Sequence, residues 1–178
     1  EATRQIMEKS PCAILVVTGK PEDSVSAVFR AMGAGALDVT ATPVLAGSGG
    51  DAALLAKIKT IGKLIRAGNA DSNGCALVIA LVSGEPVSHL LAIGASTGGP
   101  AAIAAILAGW QPAPSTAVVI VQHIDAHFAQ QFAKWLGDQL SVEARVIADG
   151  DVLVPGTIQV ARTNDHLVIG HNGRLHYT

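Results

Sequence analysis

His89-Leu-Leu-Ala-Ile-Gly-Ala-Ser-Thr-Gly-Gly-Pro100 reads as a strand that runs into a tight turn and then into a helix. His89 to Ile93 is apolar enough for a strand buried in a sheet. The glycines of the turn permit backbone angles and close approaches that side chains would block. Pro100 suits the first turn of a helix, because the N–H it lacks would have had no intrahelical partner there. Ser96 therefore sits in a strand-to-helix turn. Gly94 to Gly98 also fit Gly-x-Ser-x-Gly, the nucleophile elbow of hydrolases, in which N–H groups at the helix start can stabilise an oxyanion. A structural or phosphate-holding turn accounts for the same letters, since helix N-termini bind anions readily.

The segments around this turn keep the same alternation. Downstream come a helix over Ala101 to Leu107, a strand over Ala117 to Val121, a helix over His127 to Leu140 and a strand over Glu143 to Ile147. Upstream, residues 1 to 9 are helix-like and Cys12 to Val17 suits a strand buried on both faces. Ser24 to Met32 has helical spacing at Val25, Val28, Phe29 and Met32, and Ala36 to Thr40 is a short strand ending before Pro43. Strands alternating with helices indicate an α/β fold with parallel sheets and crossover helices. Residues 44 to 87, bracketed by Gly47 to Gly50 and Gly68 to Gly74 around a helix over Ala53 to Ile65, read as an interdomain linker. Thr157 to Ala161, Leu167 to Ile169 and Arg174 to Tyr177 are short alternating segments. They are separated by Asn164-Asp165 and Asn172-Gly173, and together they read as an antiparallel appendage.

Composition narrows the function classes. Of the 178 residues 49% are apolar and 15% charged, the profile of a globular chain. Twelve basic against 14 acidic residues leave no basic surplus for a phosphate backbone, so nucleic acid is not an expected partner. Apolar runs such as Cys12 to Val17 fall far short of the roughly 18 to 20 residues that span a bilayer. Cys12 and Cys75 form neither a disulfide framework nor a zinc spacing, and a cytoplasmic location without membrane insertion is expected.

The strand Ala117 to Val121 ends in Gln122-His123, so a histidine emerges at the same carboxyl edge of the sheet as Ser96, where doubly wound sheets place their sites. A serine hydroxyl needs a base near pKa 7 within reach, and imidazole is one. A carboxylate usually orients the imidazole. Asp125, Asp149, Asp151 and Asp165 are candidates by type. Asp125 is too close in sequence, Asp149 and Asp151 read as a loop, and Asp165 as a hairpin turn away from the catalytic edge. His127, His166, His171 and His176 read as solvated loop, hairpin or helix-start residues, with no metal spacing among them.

The runs Ala92 to Pro100, Val118 to His123, Asp149-Gly150-Asp151 and Pro155-Gly156 resemble the CheB methylesterase domain, in order and at about its spacing, over residues 88 to 178. Thr163 to His166 and Asn172 to Leu175 are most similar to the WspF branch, which serves a surface-sensing chemosensory pathway. The resemblance implies hydrolysis of glutamate methyl esters on the cytoplasmic helices of methylated chemoreceptors, with Ser96 as nucleophile, His123 as base, no cofactor and no metal. Thr97 matches the family motif and would help position the histidine. The family's aspartate lies downstream of Thr178, so the chain is expected to be a fragment whose catalytic domain is incomplete at its C-terminus. Residues 1 to 43 resemble the C-terminal half of a flavodoxin-like response-regulator receiver domain. Thr18 would be its phosphoryl-contacting hydroxyl, and the complete receiver would take its phosphoryl group from a CheA-type histidine kinase. Thr42 stands where the family carries a lysine. The expected architecture is thus a partial receiver (1–43), a linker (44–87), and a doubly wound parallel-sheet methylesterase domain with an antiparallel hairpin (88–178). A general α/β-hydrolase is a rival, although its histidine comes late in the chain, after the acid. A non-catalytic, phosphate-binding or regulatory α/β module is the other.

Overall fold

The structure, a computed structural model, describes residues 1–19, 25–43, 50–67, 87, 89–110, 113–124, 126–162 and 165–178. It divides into two compact units, one of residues 1–75 with 97–102, the other of residues 76–96 with 103–178.

The first unit is α/β. Helix α1 (Ala2–Lys9) precedes strand β1 (Leu15–Thr18), helix α2 (Val25–Gly33), strand β2 (Asp38–Ala41) and helix α3 (Gly50–Ala67). β1 and β2 pair in parallel from Leu15 opposite Asp38 to Thr18 opposite Ala41. The one-sided stripe of α2 is the reason it packs: Val25, Val28, Phe29 and Met32 recur at helical spacing and all are buried. The strand read at Cys12 to Val17 starts later than expected and is not covered on both sides, since Cys12 is exposed and Val17 is 48% exposed. Its only paired strand among the described residues is β2. Within the stretch read as linker, 50–67 is a helix of 18 residues in this unit, anchored by buried Ile61 and by Lys57 Nζ, 2.6 Å from Asp38 Oδ1 on β2. The remainder of that stretch, 44–49, 68–86 and 88, lies outside the described residues.

In the second unit β3 (His89–Ala95), β4 (Thr116–Gln122), β5 (Ala144–Val146) and β6 (Ile158–Val160) form a four-stranded sheet in the order β3-β4-β6-β5, every pair parallel. α4 (Gly99–Leu107) joins β3 to β4 in sequence, and α5 (Ala126–Leu140) joins β4 to β5. Ala117, Val118, Val119 and Ile120 of β4 are all buried. Successive side chains of a strand point to opposite faces, so β4 is covered on both sides.

β6 corrects the reading of Thr157 to Ala161 as part of an antiparallel appendage: it is an interior parallel strand. The alternation there was misleading because its polar member, Gln159, is itself completely buried. Gln159 accepts the Val154 N–H at 2.7 Å and donates to the Val152 carbonyl at 3.0 Å, so burial leaves its amide paired.

β7 (Leu167–Ile169) and β8 (Leu175–Tyr177) pair antiparallel across a turn in which Gly173 has φ +73°. They close one side of the core: Leu175 is buried with Val87, Leu90, Ala117, Val119 and Ile147, against which Leu153, Leu167 and Tyr177 also pack. Leu175→Ala should therefore cost about 2–5 kcal/mol in urea unfolding, the range for emptying a closed apolar site. Gly137 in α5 tests packing of the other kind. Alanine in a helix interior ordinarily gains up to ~1 kcal/mol over glycine. Here a Cβ would lie 3.0 Å from the Val142 carbonyl oxygen and 3.3 Å from Ala144 Cβ, so Gly137→Ala should lower the urea midpoint instead.

Candidate functional site

Strand pairing brings a serine and a histidine side chain to one edge of the sheet. The β3–β4 register ends with Ala95 opposite Gln122, and the His123 N–H extends the ladder by donating to the Ala95 carbonyl at 2.8 Å. Ser96 and His123 are thus the first residues past the carboxyl ends of two adjacent parallel strands. Ser96 Oγ lies 3.4 Å from His123 Nδ1. For Nδ1 to accept the hydroxyl proton, the neutral imidazole must carry its own proton on Nε2. The separation is longer than a strong O–H···N bond, and catalytic pairs commonly tighten only when substrate is bound.

Gln122 packs beneath them, 4% exposed. Its Nε2 donates to the Ser96 carbonyl at 2.9 Å and lies 3.4 Å from the His123 carbonyl. Its Oε1 is buried with no hydrogen-bond partner among the described residues. In the turn itself Gly98 has φ +80°, a backbone angle that L side chains avoid. Thr97 Oγ1 donates to Asp38 Oδ2 at 3.1 Å and the Gly98 N–H to the Leu37 carbonyl at 2.7 Å, both within the first unit. The Gly98 N–H is therefore already used and is not one of the donors at the helix start open to an oxyanion. Thr18 ends β1, and its carbonyl accepts the Thr42 N–H at 2.9 Å.

A cleft of about 610 Å³ opens at the carboxyl edge of the second unit, lined by Gly94, Gln122 and His123 and by Arg162, Asp165 and His166. Asp165 and His166, expected in a hairpin turn away from the site, line it. They reach it because β6 lies beside β4, so the chain that leaves the carboxyl end of β6 emerges at the edge occupied by His123. Arg162 carried no sequence signal, and the recognition of β6 as a parallel strand would have pointed to all three.

The other acids read by type have different duties. Asp149 Oδ1 accepts the Tyr177 N–H at 2.9 Å and lies 3.5 Å from His176 Nδ1. Asp151 Oδ2 accepts the Ala148 N–H at 2.9 Å and faces Arg145 at 3.7 Å. His171 lies in the β7–β8 turn. Asp125 and the His127 side chain fall outside the described residues. Among the described residues no group of three or more His, Cys, Asp or Glu is arranged to hold a metal ion, and no helix is long and apolar enough to cross a membrane.

The Tyr177 N–H, with help from His176, holds the Asp149 carboxyl below the usual carboxylate range against a smaller opposing effect of burial. A carboxylate whose pKa is depressed on folding stabilises the fold above its unfolded value, about 3.9, and loses that contribution as pH falls through the folded value. Asp149→Asn should accordingly flatten the fall of unfolding free energy below about pH 4, measured by urea titration at stepped pH, and leave the slope near pH 7 unchanged.

The fold and the site define an α/β protein with a parallel sheet whose carboxyl edge presents a serine beside a histidine. Residues 91–178 match the CheB methylesterase family. The chain is 45% identical over 182 residues to a protein-glutamate methylesterase/protein-glutamine glutaminase 3 of Pseudomonas aeruginosa, an alignment that covers 100% of this chain and 53% of that protein. It is 47% identical over 184 residues to a protein-glutamate methylesterase/protein-glutamine glutaminase 2 of Burkholderia lata, with coverage of 99% and 52%. The crystal structure of the Thermotoga maritima CheB methylesterase catalytic domain aligns with a TM-score of 0.41 at 26% identity, over 54% of this chain and 49% of that one. The chain spans about half the length of the curated relatives it matches.

Proposed function

We propose that the whole protein hydrolyses glutamate methyl esters on methylated chemoreceptors, and that this chain carries its nucleophile and base. The observation behind the reading is the approach of Ser96 Oγ to within 3.4 Å of His123 Nδ1 beyond two paired parallel strands. On this reading Ser96 Oγ attacks the ester carbonyl carbon while His123 takes the hydroxyl proton. The tetrahedral oxyanion collapses, the C–O bond to the methoxy group breaks, and His123 returns the proton to release methanol. Water, deprotonated by the same imidazole, then cleaves the acyl-serine to leave a glutamate carboxylate and the free serine. The names of the relatives add glutamine deamidation, which the same steps perform with ammonia as the leaving group. No step calls for a metal or cofactor.

The finer parts of the proposal follow the sequence resemblance. Residues 1–43 would be receiver, with Thr18 contacting a phosphoryl group delivered by a CheA-type kinase in a cytoplasmic, chemotaxis-like pathway of the Wsp kind. Helix α3 continues the alternation of that unit. Thr97 would help position His123, as the family motif implies, and its hydroxyl donates to Asp38. The resemblance implies that the acid that orients His123 would lie downstream of Thr178; Asp149 and Asp151 are engaged with Tyr177 and Ala148.

Two substitutions in the full-length protein test this. Ser96→Ala should abolish methanol release from methylated receptor membranes with no change of melting temperature, and turnover within a fewfold of the parent would exclude Ser96 as nucleophile. Asp165→Asn, at the cleft beside His123, should change turnover by less than tenfold. A loss near 10⁴-fold, the cost of removing an orienting carboxylate, would make Asp165 the third member of the triad.

A further inference from the structure

Gln122 is the last residue of β4, and its side chain is buried where its neighbour Val121 is 49% exposed. The orientation of its amide follows from its surroundings. Nε2 faces two backbone carbonyls, those of Ser96 at 2.9 Å and His123 at 3.4 Å. A flipped amide would set Oε1 against both oxygens and leave both carbonyls without this donor. The orientation that serves the carbonyls strands Oε1, buried and without a partner among the described residues. A leucine or methionine would fill the same space with no orphaned acceptor. A buried polar group left half-satisfied calls for a reason, and strained or functional sites are where such groups gather.

The two carbonyls that Gln122 approaches belong to Ser96 and His123. The β3–β4 ladder controls the strands up to Ala95 and Gln122, and the His123 N–H adds one bond beyond it. Ser96 is past the last paired residue of β3, so that ladder does not hold its carbonyl. The Gln122 amide does, and it reaches from the strand that carries the base.

We propose that Gln122 is a positioning residue: its amide N–H groups set the Ser96 backbone against that of His123 and thereby the distance from hydroxyl to imidazole. This rests on the reading of Ser96 and His123 as nucleophile and base. Removal of the donors lets the Ser96 carbonyl turn away, and a displacement of about 1 Å in a reacting pair costs on the order of 10²-fold in rate. Substrate binding draws on the rest of the cleft and is spared.

The test uses the full-length protein with Gln122→Leu and Gln122→Met, both of which fill the space and remove donor and acceptor. Three quantities are read for each: melting temperature, kcat and KM for methanol release from methylated receptor membranes, and the rate constant for labelling by a fluorophosphonate. Both variants should melt within a few degrees of the parent, lose about 10- to 100-fold in kcat and in labelling rate, and keep KM within about threefold. Parental labelling rates in a folded variant overturn the positioning role. A rise in KM with kcat unchanged overturns it too, since it would make Gln122 a substrate contact. Loss of the fold in both variants makes Gln122 a structural clamp only, and also overturns the proposal. Ser96→Ala is run alongside: if it still labels, the serine-histidine reading itself has failed, whereas an unlabelled Ser96→Ala beside a fully reactive Gln122→Leu removes only the role of Gln122.

Discussion

The parallel pairing of β3 with β4, carried through seven residue pairs from His89 opposite Thr116 to Ala95 opposite Gln122, is the constraint on which the site depends. Parallel strands share a direction, so their carboxyl ends lie at one edge and whatever follows them meets there. Had the register slipped by one residue, every β4 side chain would have changed face. The buried set Val118 and Ile120 would then have traded places with Ala117 and Val119, and Gln122 would have turned from the protein to the solvent. The apolar content of β4 on both faces opposes its loss from the sheet altogether. The direction of Gln122 and the contact of Ser96 with His123 share that register.

On the proposed reading, the chemistry at this edge needs a hydroxyl and an imidazole held close without being bonded so firmly that neither can move. The turn achieves the first part with the backbone, through the φ of +80° at Gly98 and the bond from the Gln122 amide to the Ser96 carbonyl. Neither side chain of the pair is buried. The Gln122 amide is buried, and the Ser96 hydroxyl and the His123 imidazole stand at the surface.

The β7–β8 pair packs Leu175, with Leu167 and Tyr177, against Leu90, Ala117, Val119 and Ile147 of the sheet unit. Tyr177 joins this cover to the sheet through its hydroxyl, which accepts the Arg162 N–H at 2.6 Å and donates to the Ile147 carbonyl at 3.1 Å. The loop between β5 and β6 is secured by Asp149 to the Tyr177 N–H and by Arg174 to the Gly150 carbonyl at 2.7 Å. Arg162, Asp165 and His166 leave β6 on their way to this cover, which is why the cleft wall opposite His123 comes from a segment distant from it in sequence.

By itself the amino-acid sequence determined the local elements whose signals are short-range. The strand before Ser96, the turn with its glycines, the apolar run ending at His123 and the stripe of α2 all report the covalent neighbourhood and the period of burial. It also determined that Ser96 and His123 would follow strand ends. The tertiary structure alone decided that β6 is an interior strand, because a three-residue segment carries no period that separates a parallel core strand from a hairpin arm, and the buried Gln159 imitated a solvent-facing position. It likewise decided that Asp149 bonds to Tyr177, that Asp165 reaches the cleft and that Gln122 turns its amide to Ser96. Each of those contacts joins residues whose separation in sequence bears no relation to their separation in space, and only strand order and register bring them together.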